Sequence, residues 1–214
     1  MPLKENGQKN LRLNKKKFIY LISPNKIKES FYNELNEVLK SKKVSFFQLR
    51  LKKVTFKKKF LIGKKIKKIC KKYKIHFLVN DDVLLAKKLN SDGCHLGQKD
   101  MNILKARNIL KNKIIGVTCH NSIKLTKLAL KNQADYVAIG AFNTSKTKRT
   151  KYKADLNLLK KIKKITKTPI VAIGGINSIN YKKLLLNKAN FLAISSYIWN
   201  NKKLKPIEAI KKLK

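Results

Sequence analysis

Eight short apolar runs, each followed by an amphipathic stretch, leave this chain few ways to fold. The runs are Phe18–Ile22, Val44–Leu49, Phe77–Val79, Gly93–Leu96, Ile114–Val117, Tyr136–Ile139, Pro169–Ile173 and Phe191–Ile194. They are short and predominantly apolar, as suits strands buried on both faces of a parallel sheet. Between them the apolar residues recur every third or fourth position, as Ile27, Phe31, Leu35, Val38 and Leu39 do after the first run. That spacing predicts a helix starting at Ser23-Pro24, then helices near 56–73, 82–89, 102–111, 122–132, 155–166 and 178–187, with a C-terminal one from Pro206. Eight strand–helix units predict an α/β protein: a closed (β/α)8 TIM barrel, one domain over residues 17–214, with 1–16 a basic N-terminal extension. An open doubly wound sheet is the other arrangement. No GxGxxG or GxxxxGK[ST] supports it.

The charge is the oddest quantity. Lys and Arg number 53 against 11 Asp and Glu, a formal +42. Clustered cations bind nucleic acid by releasing its counterions, but only four of these are Arg (Arg12, Arg50, Arg107, Arg149), the residue whose fork reads bases. The lysines spread over every predicted helix, and the seven Tyr and nine Phe lie mostly in apolar runs rather than among the lysines. The expectation is no specific nucleic-acid partner, only weak, salt-sensitive and sequence-independent binding, together with attraction for small anionic substrates. Three widely spaced cysteines with no CxxC pair argue against a disulfide framework or a zinc site and for a cytoplasmic protein. No run is long enough to span a membrane, and the 43% apolar fraction suffices for a core.

Against so few carboxylates, the stretch from His76 to Asp100 stands out. It holds four of the eleven: Asp81, Asp82, Asp92 and Asp100. Asp81 and Asp100 directly follow consecutive strands, at the end of a parallel barrel where ligands bind. Two carboxylates converging there suit a divalent cation with oxygen ligands. Each also precedes an apolar periodic run, so both equally fit helix N-caps. The glycines point to the same end of the barrel. Gly174-Gly175 after the seventh strand and Ser195-Ser196 after the eighth match where such barrels offer backbone N–H groups to a phosphate.

Seven stretches in order, each at a strand end, complete the pattern: QLRLK (48–52), VNDD (79–82), DGCHLGQKD (92–100), IIGVTCH (114–120), ADYVAIGAFNTSKTK (134–148), PIVAIGGI (169–176) and AISSYI (193–198). Over residues 18–198 the chain resembles the thiamine-phosphate synthase family. That resemblance implies a (β/α)8 transferase of thiamine biosynthesis, which joins a pyrimidine pyrophosphate to a thiazole phosphate, releases pyrophosphate and uses Mg2+. It implies that Gln48, Arg50, Lys52 and Asn80 bind the pyrimidine pyrophosphate and that Asp81 and Asp100 hold Mg2+. Thr118 stands where the family usually has a pyrophosphate-contacting Ser. Ser145, Thr147 and Lys148 match the long loop, and Gly175, Ser195 and Ser196 match the thiazole-phosphate cradle. Arg50, Lys52 and Lys148 would carry catalysis by stabilising the leaving charge. The electron-rich pyrimidine can stabilise the cation left behind, so no protein nucleophile is needed, and no Ser-His-Asp or Cys-His arrangement is found. Partners are then the two small-molecule substrates, with homo-oligomer formation left open.

The chain departs from the family at Leu51, where an acidic residue is usual, and at Asn143, Thr144 and Ser145, where the loop usually carries an aromatic or Pro and then Pro and Thr. Two other functions compete. A related thiazole tautomerase would use His120 and need no metal. A basic nucleic-acid-binding protein would gather lysines with exposed aromatics.

Overall fold

The computed structural model describes residues 17–143 and 151–214. Its parallel strands are β1 (Ile19–Ile22), β2 (Val44–Leu49), β3 (His76–Asn80), β4 (Gly93–Leu96), β5 (Ile114–His120), β6 (Tyr136–Gly140), β7 (Ile170–Ile173) and β8 (Phe191–Ile194). They close in sequence order, β8 pairing back onto β1, which excludes the open sheet. Seven helices follow β1 to β7 in turn: α1 (Ser30–Lys40), α2 (Phe56–Lys72), α3 (Val83–Lys88), α4 (Ile103–Leu110), α5 (Ile123–Lys131), α6 (Leu156–Ile165) and α7 (Tyr181–Leu186). The short α8 (Ser196–Trp199) and then α9 (Pro206–Lys211) follow β8. Among the described residues no helix is long and apolar enough to cross a membrane.

Each strand buries two different faces. Ile19, Leu21, Phe47, Val79 and Val137 point outward into the layer shared with the helices. Their neighbours Tyr20, Phe46, Leu78, Ile114, Tyr136, Val171 and Phe191 form a separate buried cluster inside the barrel. Because successive side chains alternate, residues two further along each strand climb from that plug to the mouth. Phe46 leads to Gln48 and Leu78 leads to Asn80.

The plug is held by hydrogen bonds as well as by packing. Tyr20 and Tyr136 join hydroxyls at 2.7 Å, and the Tyr136 hydroxyl also meets His95 Nδ1 at 2.8 Å. Tyr136 crosses the barrel only because Gly116 stands opposite it. A Cβ there would lie 1.8 Å from the ring. Burial pushes both phenols well above the ordinary tyrosine range.

The opposite rim of the barrel repeats one device. Asp92, Asp135 and Asn190 each sit at the start of an even-numbered strand and accept from the first N–H groups of the strand before it. Phe77 donates to Asp92 Oδ2 at 2.7 Å, Ile115 to Asp135 Oδ2 at 2.8 Å, and Ile170 to Asn190 Oδ1 at 2.8 Å. The backbone N–H of each returns a bond to the same partner's carbonyl. Arg107 Nη2 reaches Asp135 at 2.6 Å and donates to Gln133 O, while its Nη1 donates to the carbonyls of Lys111 and Lys113.

Three local expectations change. The first helix begins at Ser30, not after Ser23-Pro24. Ser23 cannot cap it, because its hydroxyl accepts from Arg50 N at 2.9 Å and donates to Arg50 O at 3.3 Å. The sequence also contains α8, hidden by its four-residue length and tied to β1 by Trp199 Nε1 on Ile22 O at 2.7 Å. Strand β5 runs to His120 with a register shift that skips Cys119, so Thr118 and His120 both reach the mouth while Cys119 is buried outward.

Two outcomes follow for stability. Asp135→Ala strands the Ile115 N–H and the Arg107 guanidinium, and should cost about 2 kcal/mol or more in urea unfolding. Asp135→Asn should cost less than half as much, since Asn190 does the same job with an amide; equal losses would assign the effect to the ion pair instead. The neutral phenols of Tyr20 and Tyr136 are favoured in the fold, so their stabilisation is complete below the ordinary tyrosine pKa of about 10 and drains as pH rises above it. Tyr136→Phe should cost about 1–3 kcal/mol near neutrality and flatten the alkaline fall in melting temperature. An unchanged alkaline limb would show that other groups govern it.

Candidate active site

A cavity of about 530 Å3 opens among the C-terminal strand ends, lined from all eight strands or the loops after them. Of the residues singled out from the sequence, Gln48, Arg50, Lys52, Asn80, Asp81, Asp100, Thr118, Gly175, Ser195 and Ser196 all line it. Ser145, Thr147 and Lys148 lie outside the described residues, as does the 1–16 extension.

The β2–β3 side is an ordered polar wall. Gln48 is 2% exposed, and its Nε2 donates to Asn80 Oδ1 on the adjacent strand. This bond uses one group of each amide, leaving the pair one acceptor and further N–H donors. Arg50 follows two residues after Gln48 and therefore faces the same way. Its backbone is clamped by Ser23, and its Nη1 donates to Asn25 Oδ1 at 3.3 Å.

The two aspartates are not helix caps. Asp82 Oδ1 caps α3 by accepting from Leu85 N at 3.0 Å, and Asn102 Oδ1 caps α4 by accepting from Leu104 N at 2.8 Å. Asp81 instead occupies the left-handed region at φ 64, its N–H bonded to His95 O at 2.8 Å. Asp100 Oδ2 accepts from Gly97 N at 2.6 Å, a turn that brings its carboxylate back over β4. Among the described residues, Asp82, Asp92, Asp100, Asp135 and Asp155 each receive a backbone N–H, and Asp81 receives none. Burial, a hydrogen bond with Asp100 and the repulsion of Asp100's charge together raise the Asp81 pKa to about 6, while Lys52 and Arg50 pull it down. Two carboxylates so close favour a shared proton or a cation between them. Their donors are all oxygen, and no group of three or more His, Cys, Asp or Glu able to hold a metal occurs among the described residues. That set fits Mg2+, which keeps waters and borrows phosphate oxygens.

Thr118, His95 and Gln98 form the next wall. His95 Nε2 meets Thr118 Oγ1 at 2.8 Å, while Gln98 Nε2 donates to Thr118 O. His95 thus links the tyrosine plug below to Thr118 at the mouth. Sequence reasoning missed Tyr20, His95 and Tyr136, although the inward alternation from Gly93 and Gly116 marks His95 and Thr118 as facing the cavity. His120 also lines the cavity and stacks on Tyr152, centroids 4.0 Å apart.

On the far side, Gly174 and Gly175 turn the backbone at φ 101 and φ 57, and a Cβ on Gly174 would strike Ala141 at 2.3 Å. Gly93 and Gly116, by contrast, serve packing: a Cβ at either would overlap Ile114 or Tyr136. Ser195 Oγ donates to Ser23 O at 3.2 Å, so β8 and β1 close this edge together. The three cysteines are free and buried away from all of this, with burial holding every thiol pKa up.

Comparison with known proteins bears on the family of the whole chain. A profile described as thiamine monophosphate synthase matches residues 19–198. A thiamine-phosphate synthase of Pelagibacter ubique is 72% identical over 200 residues, covering 93% of this chain and 97% of that relative. One from Clostridium acetobutylicum is 36% identical over 190 residues, covering 87% and 89%. The solved thiamine phosphate pyrophosphorylase from Pyrococcus furiosus superposes with a TM-score of 0.81 at 30% identity, with 94% of each chain covered. With those matches spanning the strands that build the cavity, the chain belongs to the thiamine monophosphate synthase family.

Proposed function

We propose that this thiamine-phosphate synthase binds a pyrimidine pyrophosphate against β2–β4 and a thiazole phosphate against β7–β8, and joins them across the mouth with Mg2+ at Asp81 and Asp100. The enzyme class, a transferase of thiamine biosynthesis, follows from the family. The observation that carries the site assignment is the Asp81–Asp100 pair facing Arg50 and Lys52. Two converging carboxylates beside two cations make sense around a polyanion and its counter-cation. They serve no capping purpose.

The residues then divide the work by position. The Gln48–Asn80 amide pair offers an acceptor and donors side by side, which suits an aminopyrimidine edge. Arg50 and Lys52 meet the pyrophosphate, and Thr118, held by His95, can contact its oxygens. As the carbon–oxygen bond breaks, negative charge builds on the pyrophosphate, and the Arg50 and Lys52 cations stabilise it where it develops. Bound Mg2+ would add charge neutralisation of the same leaving group. The pyrimidine ring stabilises the carbon left positive, and the thiazole supplies the electron pair that captures it. Gly175, Ser195 and Ser196 would hold the thiazole's phosphate at a distance that orients it toward that carbon. The family resemblance would add Lys148 as a further cation, with Thr147 and Ser145 as phosphate contacts.

The tautomerase alternative has its histidine, His120, in the cavity. It leaves the Arg50, Lys52, Asp81 and Asp100 set without a purpose, so the synthase is the better account. A cytoplasmic location fits the free thiols, and both partners proposed for the site are small anions.

Arg50→Lys should lower turnover about tenfold or more, equivalent to ~1.4 kcal/mol of transition-state stabilisation, because an ammonium cannot hold two oxygens as a planar fork does. Wild-type turnover would show that Arg50 only packs against Asn25. Asp81→Asn and Asp100→Asn should each leave thermal melts close to wild type, since the caps are Asp82 and Asn102. Coupling should nonetheless fall strongly, recover in part with excess Mg2+, and leave thiazole-phosphate binding nearly unchanged. The measurement is turnover against Mg2+ concentration beside calorimetric binding of the thiazole phosphate. A wild-type Mg2+ dependence in both folded variants would remove the metal from this pair.

A further inference from the structure

A second concavity, of about 300 Å3, lies on the outside of the barrel between α2 and the end of α3. None of its lining residues belongs to the substrate cavity. It is lined by Phe60, Leu89 and five lysines, Lys64, Lys67, Lys68, Lys71 and Lys88, of which Lys67 Nζ donates to Leu89 O at 2.9 Å. Helix α2 carries nine lysines and no carboxylate in its 17 residues. Its outer lysines, Lys59 and Lys65, find acids at Asp82 and Glu29. Among the described residues no acid pairs with the lysines of the groove. Lys64, Lys68 and Lys71 stand at i, i+4 and i+7, a row of charges about 10 Å long on one face. Aromatic rings lie among them: Lys88 Nζ is 5.7 Å from the Phe56 centroid and 5.5 Å from that of Phe60, and Phe56 is 41% exposed.

We infer that this groove is a sequence-independent binding surface for single-stranded nucleic acid. A row of unpaired cations at one-turn spacing matches a flexible phosphate backbone, and the rings beside it offer faces on which an unpaired base can stack. A duplex hides its base faces and gains nothing from Phe56. An anionic membrane would need a continuous exposed apolar face, whereas α2 buries Ile66 and Cys70 against the barrel and exposes only Phe56 and Leu61 of its large apolar residues. A second copy of this chain would bring like charge to like charge. The lysines are dispersed over the whole protein, and here, outside the substrate cavity, several of them combine with a groove and aromatic rings. This surface is independent of the synthase site, and its failure would leave that assignment standing.

The test is fluorescence polarisation of a labelled mixed-sequence RNA of about 12 nucleotides, within the range one such surface covers. The triple variant Lys64→Gln, Lys68→Gln, Lys71→Gln is compared with Lys160→Gln, Lys161→Gln, Lys164→Gln, which removes the same charge from α6, four helices round the barrel. The groove triple should weaken binding about tenfold or more and reduce the slope of log affinity against log salt by about two. The α6 triple should weaken binding less than about threefold, and both should keep wild-type turnover. Phe56→Ala should weaken RNA binding about fivefold while leaving the affinity for inorganic polyphosphate unchanged. Equal losses from the two triples would overturn the inference in favour of delocalised charge. Equal effects of Phe56→Ala on RNA and polyphosphate would overturn the base-stacking half of it. Tighter binding to phosphatidylglycerol vesicles than to RNA would replace it with a membrane surface.

Discussion

The alternation of strand side chains around a closed barrel governs nearly everything else in this protein. Closure leaves no edge, so every inward residue must be packed, bonded or exposed at the mouth. The lower inward positions are filled by Tyr20, Phe46, Leu78 and Tyr136. With Gly116 making room, Tyr136 spans the barrel and ties its hydroxyl to Tyr20 and His95. The upper inward positions, Gln48, Asn80, His95 and Thr118, rest directly on this plug. Polar site residues are therefore held by a rigid support, which is what a site that works through positioning requires.

Scarcity of negative charge gives each aspartate a specific place. Asp92 and Asp135 join strand pairs at the lower rim, and Asp82 and Asp155 cap helices. That leaves Asp81 and Asp100, which meet at the mouth beside Arg50 and Lys52. Elsewhere the lysines mostly solvate helix faces, a neutral arrangement for the fold that raises the local concentration of small anions around the mouth. The α2 groove departs from that dispersal.

The sequence reading located the strands closely, because burial on both faces leaves an apolar run of the right length wherever a strand occurs. It was weaker at helix starts, where one hydrogen bond decides. Ser23 looks like a cap and instead clamps Arg50, so α1 starts at Ser30. Asp81 and Asp100 were open to two roles because Asp82 and Asn102, one and two residues further on, could take the caps without any change in apolar spacing. Four-residue α8 has too few positions to show a period.

By itself the sequence determined the eight strand–helix units, the closed barrel, the order of residues at its mouth and the family resemblance. All of these depend on local periodicity and on motifs read along the chain. Only the tertiary structure decided that Asp81 and Asp100 converge, that His95 joins the tyrosine plug to Thr118, and that Phe56 and Phe60 lie among the lysines of α2 and α3. Each of those relations links residues from different strands or helices. Their distances depend on barrel register and helix packing, which no single stretch of the chain encodes.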